Sequence, residues 1–209
     1  MMLGTNLTPN SARYFAKKIA RRVNPTPAVF VDRDGVINHN RADHVVRWQD
    51  FEFEEGAREA LRLLKKTGHQ VFVVTNQAVI GRGTATQAEI DYLHARMLKE
   101  VRASGGDITE VFCCPHRPEV NCICRKPRPG LLYQATARYK IELSKSWLIG
   151  DYITDVEAGL SAGCKPILVL TGRGKEAWDS WQQSGKETTP FLVKPNLLQA
   201  VEHLLKLDG

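Results

Sequence analysis

Residues 28–38 read AVFVDRDGVIN, an apolar run that stops at Asp32-Arg33-Asp34 and a glycine. A short apolar run bounded by a turn signal predicts a buried strand, here near 28–32. Carboxylates spaced i, i+2 lie on the same side of an extended backbone, so Asp32 and Asp34 can face one reaction centre. In open α/β sheets ligands bind outside the carboxyl ends of the strands, which is where this pair would stand. One carboxylate can attack an electrophile while the other moves a proton, with a hard cation offsetting the crowded charge. Acidic turns after strands are common, however, and the remainder of the chain has to decide between chemistry and a plain turn.

Three further segments decide it. Residues 70–74 (QVFVV) form a second buried-type strand that runs into Thr75-Asn76-Gln77, where the Thr75 hydroxyl can donate to a phosphate oxygen. Residues 125–130 (RKPRPG) place Lys126 just before a helix that opens at Gly130 or Leu131. Trp147 to Ile149 is a short apolar strand followed by Gly150-Asp151, with Asp155 four residues further on. Taken in this order and context, the four segments resemble the haloacid dehalogenase superfamily of phosphohydrolases, and the resemblance runs from about Ala28 to about Leu205.

Cys114-Pro115-His116 and Cys122-Ile123-Cys124 supply three thiols and an imidazole within eleven residues. Cys₃His is a structural zinc set whose closed tetrahedron leaves no position for a substrate water. The alternatives are a reduced cysteine cluster or a disulfide within the loop. Zinc is favoured, because no secretory signal is legible and the five cysteines are an odd number. Cys113 and Cys164 fall outside the pattern and read as small hydrophobes.

The CPH…CxCRKPxPG run after a strand, with FEFEEGAREALRLLKKTGHQVFVVTNQ upstream, resembles the heptose bisphosphate and histidinol-phosphate phosphatase branch of that superfamily. The resemblance implies a Rossmann-like parallel sheet flanked by helices, no large cap domain, and a zinc-bound loop shaping the pocket. It implies Mg²⁺-dependent removal of the 7-phosphate of a D-glycero-D-manno-heptose 1,7-bisphosphate through an aspartyl-phosphate. Such an activity would feed lipopolysaccharide or surface-layer sugar assembly. The alternatives are histidinol phosphate or another small phosphomonoester as substrate, and, outside enzymes, a binding protein that kept the fold. By the same resemblance Asp32 is the nucleophile, Asp34 the general acid and base, and Thr75 and Lys126 hold the transferring oxygens. Mg²⁺ would sit on the Asp32 carboxylate, the Asp34 backbone carbonyl and Asp151. Asp34 would gain its proton beside carboxylates that penalise ionisation. Arg33, Asn76, Gln77 and Arg125 are assigned to substrate binding, and Asp155 to orienting its loop. Two positions depart from the branch pattern: Ala78-Val79-Ile80 stands where Ser-Gly-Ile is usual, and Tyr152 where lysine is frequent after the metal aspartate.

The chain as a whole bounds the reading. At 209 residues it is long enough for one domain with a real core. No stretch approaches the ~20 apolar residues of a membrane span. The net charge is +6, but residues 1–24 carry Arg13, Lys17, Lys18, Arg21 and Arg22 without an acid, which leaves the rest near +1. A nearly neutral domain lacks the basic footprint of a nucleic-acid binder. The expectation is a cytoplasmic enzyme, and the resemblance implies a monomer acting on a small phosphorylated sugar. Residues 1–26 read as a basic extension, where Phe15, Ile19 and Val23 at i, i+4, i+8 suit an amphipathic helix packed on the domain. Contact with an acidic partner or membrane surface is the other reading. Residues 27–209 read as the catalytic domain. Strands are expected near 28–32, 70–75, 109–113, 146–150 and 166–170, and helices near 56–67, 86–104, 130–140, 154–163 and 195–206. Thr86-x-x-Glu89 and Thr154-x-x-Glu157 read as capping boxes. Strands alternating with helices imply a parallel sheet with Asp32, Thr75 and Asp151 at one edge.

Overall fold

The computed structural model of the protein describes residues 25–185 and 188–207. The basic segment before Pro25 lies outside them. Thr26, the last residue but one before the run of buried strand, donates its N–H to Lys140 O at 3.2 Å and accepts from Glu142 N–H at 3.0 Å.

Six strands form one parallel sheet: β1 (Ala28–Val31), β2 (Gln70–Asn76), β3 (Glu110–Cys114), β4 (Trp147–Gly150), β5 (Lys165–Val169) and β6 (Leu192–Lys194), in the order β3-β2-β1-β4-β5-β6. Seven helices connect and flank them: α1 (Ala57–Lys66), α2 (Ala78–Arg82), α3 (Gln87–Ala103), α4 (Gly130–Tyr139), α5 (Ile153–Ala162), α6 (Gly174–Gln183) and α7 (Leu197–Leu207). Strand residues alternate between two cores, as the period of two in a pleated strand requires. Val29, Val31, Val71, Val73, Ile149 and Ile167 pack on one face with α1, α7 and part of α3. Ala28, Phe30, Phe72, Val74 and Leu148 pack on the other with α4 and Ala158 of α5. Burial on both faces explains why these strands read as continuous apolar runs rather than as alternating ones.

The order reverses between β1 and β4, and that junction positions the site. Val31 pairs with Ile149, and the N–H of Asp32 donates to Ile149 O at 2.9 Å. The carboxyl ends of β1 and β4 thus lie side by side at a topological switch point, where such sheets bind ligands.

The regular elements fall close to their sequence-based positions, with four differences. Helix α6 occupies half of residues 171–190, where no helix was expected. Its Trp178 and Trp181 meet Phe191 edge-on at centroid distances of 6.2 and 4.9 Å, a partner set by the fold rather than by local pattern. Strand β6 is only three half-buried residues at the sheet edge, too short to carry periodicity. The short helix α2 also went unseen. The Thr86 box forms as expected, with Glu89 N–H donating to Thr86 Oγ1 at 3.2 Å and Thr86 N–H to Glu89 Oε2 at 2.7 Å. The Thr154 box does not: α5 starts a residue earlier, and the N–H of Tyr152 donates to Asp155 Oδ2 at 3.1 Å.

Phe72 is wholly buried and touches the rings of Phe30, Phe112 and Tyr139. Truncating such a side chain removes transfer energy and leaves a cavity, so Phe72→Ala should destabilise the protein by about 3–5 kcal/mol in urea unfolding. A loss under about 1 kcal/mol would contradict this packing.

Candidate active site

Lys126 is the centre of the crevice, only 3% exposed. Its ammonium donates to Val74 O at 2.8 Å and pairs with Asp32 Oδ1 at 3.0 Å and Asp155 Oδ1 at 2.5 Å. An ammonium has three N–H donors, and three acceptors from three segments surround it. Burial opposes the charge, but Asp155 and Asp32 outweigh burial and hold the lysine above its ordinary value, firmly charged.

Asp32 follows β1, Asp151 follows β4 and Asp155 lies in the first turn of α5; a carboxylate oxygen of each comes within 4.8 Å of the others. Burial pushes Asp32 up to about 6, against the pull of Lys126 and with the help of Asp155 and Asp34. Burial, then the charges of Asp32 and Asp155, push Asp151 up to about 8. Three buried carboxylates facing one cation are under-compensated, and oxygen-rich crowding of this kind suits a hard divalent ion. Asp155 is already engaged with Lys126 and the Tyr152 N–H, as expected of a residue that orients its loop. Asp32 and Asp151 are the remaining pair.

Two glycines make room for Asp151. Gly35, at φ +81°, would put a Cβ 2.1 Å from Asp151 Oδ2, and Gly172, at φ +54°, one at 2.3 Å from the same oxygen. Thr171 Oγ1 donates to Gly35 O at 2.6 Å, and Arg173 N–H donates to Asp151 Oδ2 at 2.8 Å. The loop after β5 thus closes over the metal-type carboxylate by backbone contact, which any side chain at either glycine would prevent.

Asp34 stands apart from the carboxylate cluster. Its Oδ1 accepts from Arg33 Nε, Arg33 Nη2 and Asn38 Nδ2 at 3.1, 2.8 and 2.9 Å; its Oδ2 accepts from Gln77 Nε2 at 2.8 Å. Burial pushes Asp34 up, but the Arg33 charge and the hydrogen bonds from Asn38, Arg33 and Gln77 prevail, so it lies below the ordinary carboxylate range. The expectation that neighbouring carboxylates favour its protonated form is corrected: in the resting site Asp34 is a paired carboxylate.

The residues assigned to substrate are placed differently from one another. Arg33 is completely buried, with its guanidinium spent on Asp34, Val45 O and His94. Gln77 is 3% exposed and bridges Asp34 and Thr75, donating to Thr75 Oγ1 at 2.9 Å. Asn76 clamps the backbone of Lys126, donating to its carbonyl and accepting from its N–H, both at 3.1 Å. These are positioning contacts. Arg125 lines a cavity of about 220 Å³ with Asn121, Cys122, Lys126 and Arg128, and donates to His116 O at 3.3 Å. Arg128 donates to Cys122 O at 3.0 Å and to Asn121.

Cys114, His116, Cys122 and Cys124 come together as the sequence spacing suggested. Their sulfurs are 3.4–3.6 Å apart, and His116 Nδ1 is 3.3 Å from the Cys124 sulfur and 3.7 Å from that of Cys114. These separations are far beyond a disulfide bond, and all five cysteines are free. Thiolates at ≈ 2.3 Å from a tetrahedral zinc stand roughly 3.7 Å apart, so the donor set and its spacing fit that ion.

Four residues of the site escaped sequence reading: Asn38, Val45, His94 and Arg173. Only His94 left a signal, since it continues the Ile90–Met97–Val101 face of α3 and is buried with it. The departures from the branch pattern also have places. Val79 packs against Ala85 and Ile90, and the Arg173 guanidinium lies 3.8 Å over the Tyr152 ring.

A HAD-hydrolase-like family model matches residues 123–200. A D-glycero-beta-D-manno-heptose-1,7-bisphosphate 7-phosphatase of Neisseria meningitidis is 41% identical over 148 residues, 71% of this chain and 79% of that protein. The chain belongs to the heptose bisphosphate phosphatase family of haloacid dehalogenase-like hydrolases. Another member, from Pseudomonas aeruginosa and bearing the same name, is 39% identical over 146 residues, 70% of this chain and 82% of that one. The solved D,D-heptose 1,7-bisphosphate phosphatase of B. bronchiseptica, complexed with magnesium and phosphate, superposes with a TM-score of 0.81 at 30% identity, covering 87% of this chain and 99% of that one.

Asp32 and Asp151 hold protons in the folded chain that they release on unfolding, between the unfolded value near 4 and about 6 and 8 respectively. Their stabilising contribution is complete below about pH 4 and is lost as pH rises through those values. A divalent cation held by these carboxylates would replace the lost protons. The rise in Tm on adding Mg²⁺ to metal-depleted protein should therefore be larger near pH 8 than near pH 5, by differential scanning fluorimetry. An equal or reversed effect would contradict the site.

Proposed function

We propose that this protein removes the 7-phosphate of D-glycero-D-manno-heptose 1,7-bisphosphate. The observation that carries the reading is the buried Asp32–Lys126–Asp155 cluster beside Asp151 at the switch point, in a chain of this family. The relatives at 41% and 39% identity bear the name of the β anomer, so that anomer is the first to assay.

Asp32 attacks phosphorus, and the sugar oxygen leaves as the P–O bond breaks, giving an aspartyl-phosphate. Phosphoryl transfer demands placement and charge neutralisation above all. Asp32, Asp151 and the Asp34 backbone carbonyl would hold Mg²⁺, which supplies a positive charge that lets Asp32 ionise and offsets the phosphate. Lys126 exchanges its contact with Asp32 for a phosphate oxygen. Thr75 Oγ1 already accepts from Gln77, which leaves its own hydrogen to donate to another phosphate oxygen. Asp34 gives a proton to the leaving alkoxide and then takes one from the water that opens the acyl-phosphate. An arriving phosphate places negative charge beside Asp34 and acts with burial to raise its affinity for that proton. Arg125 lines a cavity next to Lys126, where its guanidinium would meet the substrate.

The zinc reading belongs to the same proposal: Cys114, His116, Cys122 and Cys124 hold one Zn²⁺ and shape the pocket in place of a cap. Arg125 and Arg128 grip the same loop by its carbonyls, tying its geometry to Lys126. We further read the enzyme as a cytoplasmic monomer contributing to lipopolysaccharide-type sugar assembly. No helix among the described residues is long and apolar enough to cross a membrane.

Asp32→Asn should abolish Mg²⁺-dependent phosphate release from the bisphosphate while leaving the unfolding curve intact; retained turnover would remove Asp32 as nucleophile. Wild-type enzyme should prefer the heptose bisphosphate over histidinol phosphate, and the opposite preference would mean that Tyr152 and the 78–80 turn have redirected the pocket. Cys122→Ser should lower the zinc content and the Tm together. Unchanged Tm after confirmed metal loss would contradict a structural zinc.

A further inference from the structure

Arg33 carries its guanidinium at zero exposure, an arrangement that requires an acceptor for its donors. Nε and Nη2 serve Asp34, and Nη2 also serves Val45 O at 2.9 Å. Nη1 faces α3, where His94 Nε2 stands 3.1 Å away at 6% exposure. An imidazole accepts at Nε2 only when that nitrogen is unprotonated, so the proton must sit on Nδ1. Burial and the adjoining guanidinium both push His94 down, to about 3, so it stays a neutral acceptor.

We propose that His94 is a positioning residue for the acid–base step, acting through Arg33 to fix the plane in which the Asp34 carboxylate is held. The inference rests on the reading of Asp34 as general acid and base. Arg33 grips Asp34 through Nε and Nη2, so any rotation of the guanidinium carries the carboxylate with it. Val45 O restrains one arm of the fork and His94 the other. Without His94 the buried donor on the second arm is left seeking a partner. Asn38 and Gln77 still hold Asp34, so loss of His94 should misalign it and not release it. A residue 61 positions from Arg33 and outside every catalytic segment thereby becomes part of the acid's support.

The test is a pair of variants of similar shape, His94→Gln, which keeps an acceptor, and His94→Met, which lacks one. Single-turnover phosphoryl transfer is measured with heptose bisphosphate, whose alkoxide needs a proton to leave, and with p-nitrophenyl phosphate, whose phenolate does not. His94→Met should slow transfer from the sugar about 10- to 100-fold with KM little changed, and leave transfer from the aryl ester nearly unaltered. His94→Gln should recover most of the rate. Equal losses on both substrates, no loss on the sugar, or a Gln variant as slow as the Met variant would overturn the proposal. Asp34→Asn serves as the reference: if it too shows no dependence on leaving group, the acid–base reading has failed, whereas a dependence there and none in His94→Met refutes His94 alone. Nitrogen NMR of wild-type enzyme gives a check that requires no variant. An unprotonated His94 Nε2 is expected, and a proton on that atom would overturn the proposal even if His94→Met fails to fold.

Discussion

The buried ammonium of Lys126 is the constraint on which the site depends. It binds a β2 carbonyl, the carboxylate after β1 and the carboxylate in the first turn of α5, and so ties three segments of the sheet edge to one point. Removing one partner of a buried charge pair costs about 3–5 kcal/mol, because the other charge is left without compensation. Here a single lysine faces two partners directly, and Asp151 adds a third acid nearby. The excess negative charge is stored in raised carboxyl affinities for protons, and the same excess would favour a divalent cation.

The lysine's own position is set from two sides. Asn76 clamps its backbone amide and carbonyl from the end of β2, and the 114–124 loop packs against it through Arg125 and Arg128. Val74, Asn76 and Lys126 therefore form one unit, with a side chain of β2's last residue holding the segment whose ammonium returns to β2. A second unit surrounds Asp34, where Arg33, Asn38 and Gln77 converge on the carboxylate. Gln77 also reaches Thr75, so the Asp34 carboxylate and the Thr75 hydroxyl are coupled through one amide. Both units stand at the carboxyl ends of β1 and β2, and each joins segments distant in sequence.

That geometry explains what was legible in the sequence and what was not. Strands β1, β2 and β4 were readable because doubly buried strands are continuously apolar, and Asp32, Thr75, Lys126 and Asp151 were readable because each follows such a strand or opens a helix. The cysteine–histidine spacing pointed to its cluster for the same reason, that ligands must be close along the chain to meet without a scaffold. The contacts that Arg33, Asn76 and Gln77 make with Asp34, Lys126 and Thr75 were not legible. Their motif neighbours face the crevice, but a side chain beyond the end of a strand takes its direction from tertiary partners that sequence does not display. Helix α6 was missed because its tryptophans are explained only by Phe191, and His94 because it hides in an apolar helix face.

The central claim is that Asp32 becomes covalently phosphorylated in a site organised by Lys126. It is tested most directly by quenching a single turnover with borohydride, which reduces an acyl-phosphate to an alcohol, and locating the modification by peptide mass spectrometry. The account predicts homoserine in place of aspartate at Asp32 and nowhere else. Full phosphate release with Asp32 unmodified, or reduction at another carboxylate, would contradict it.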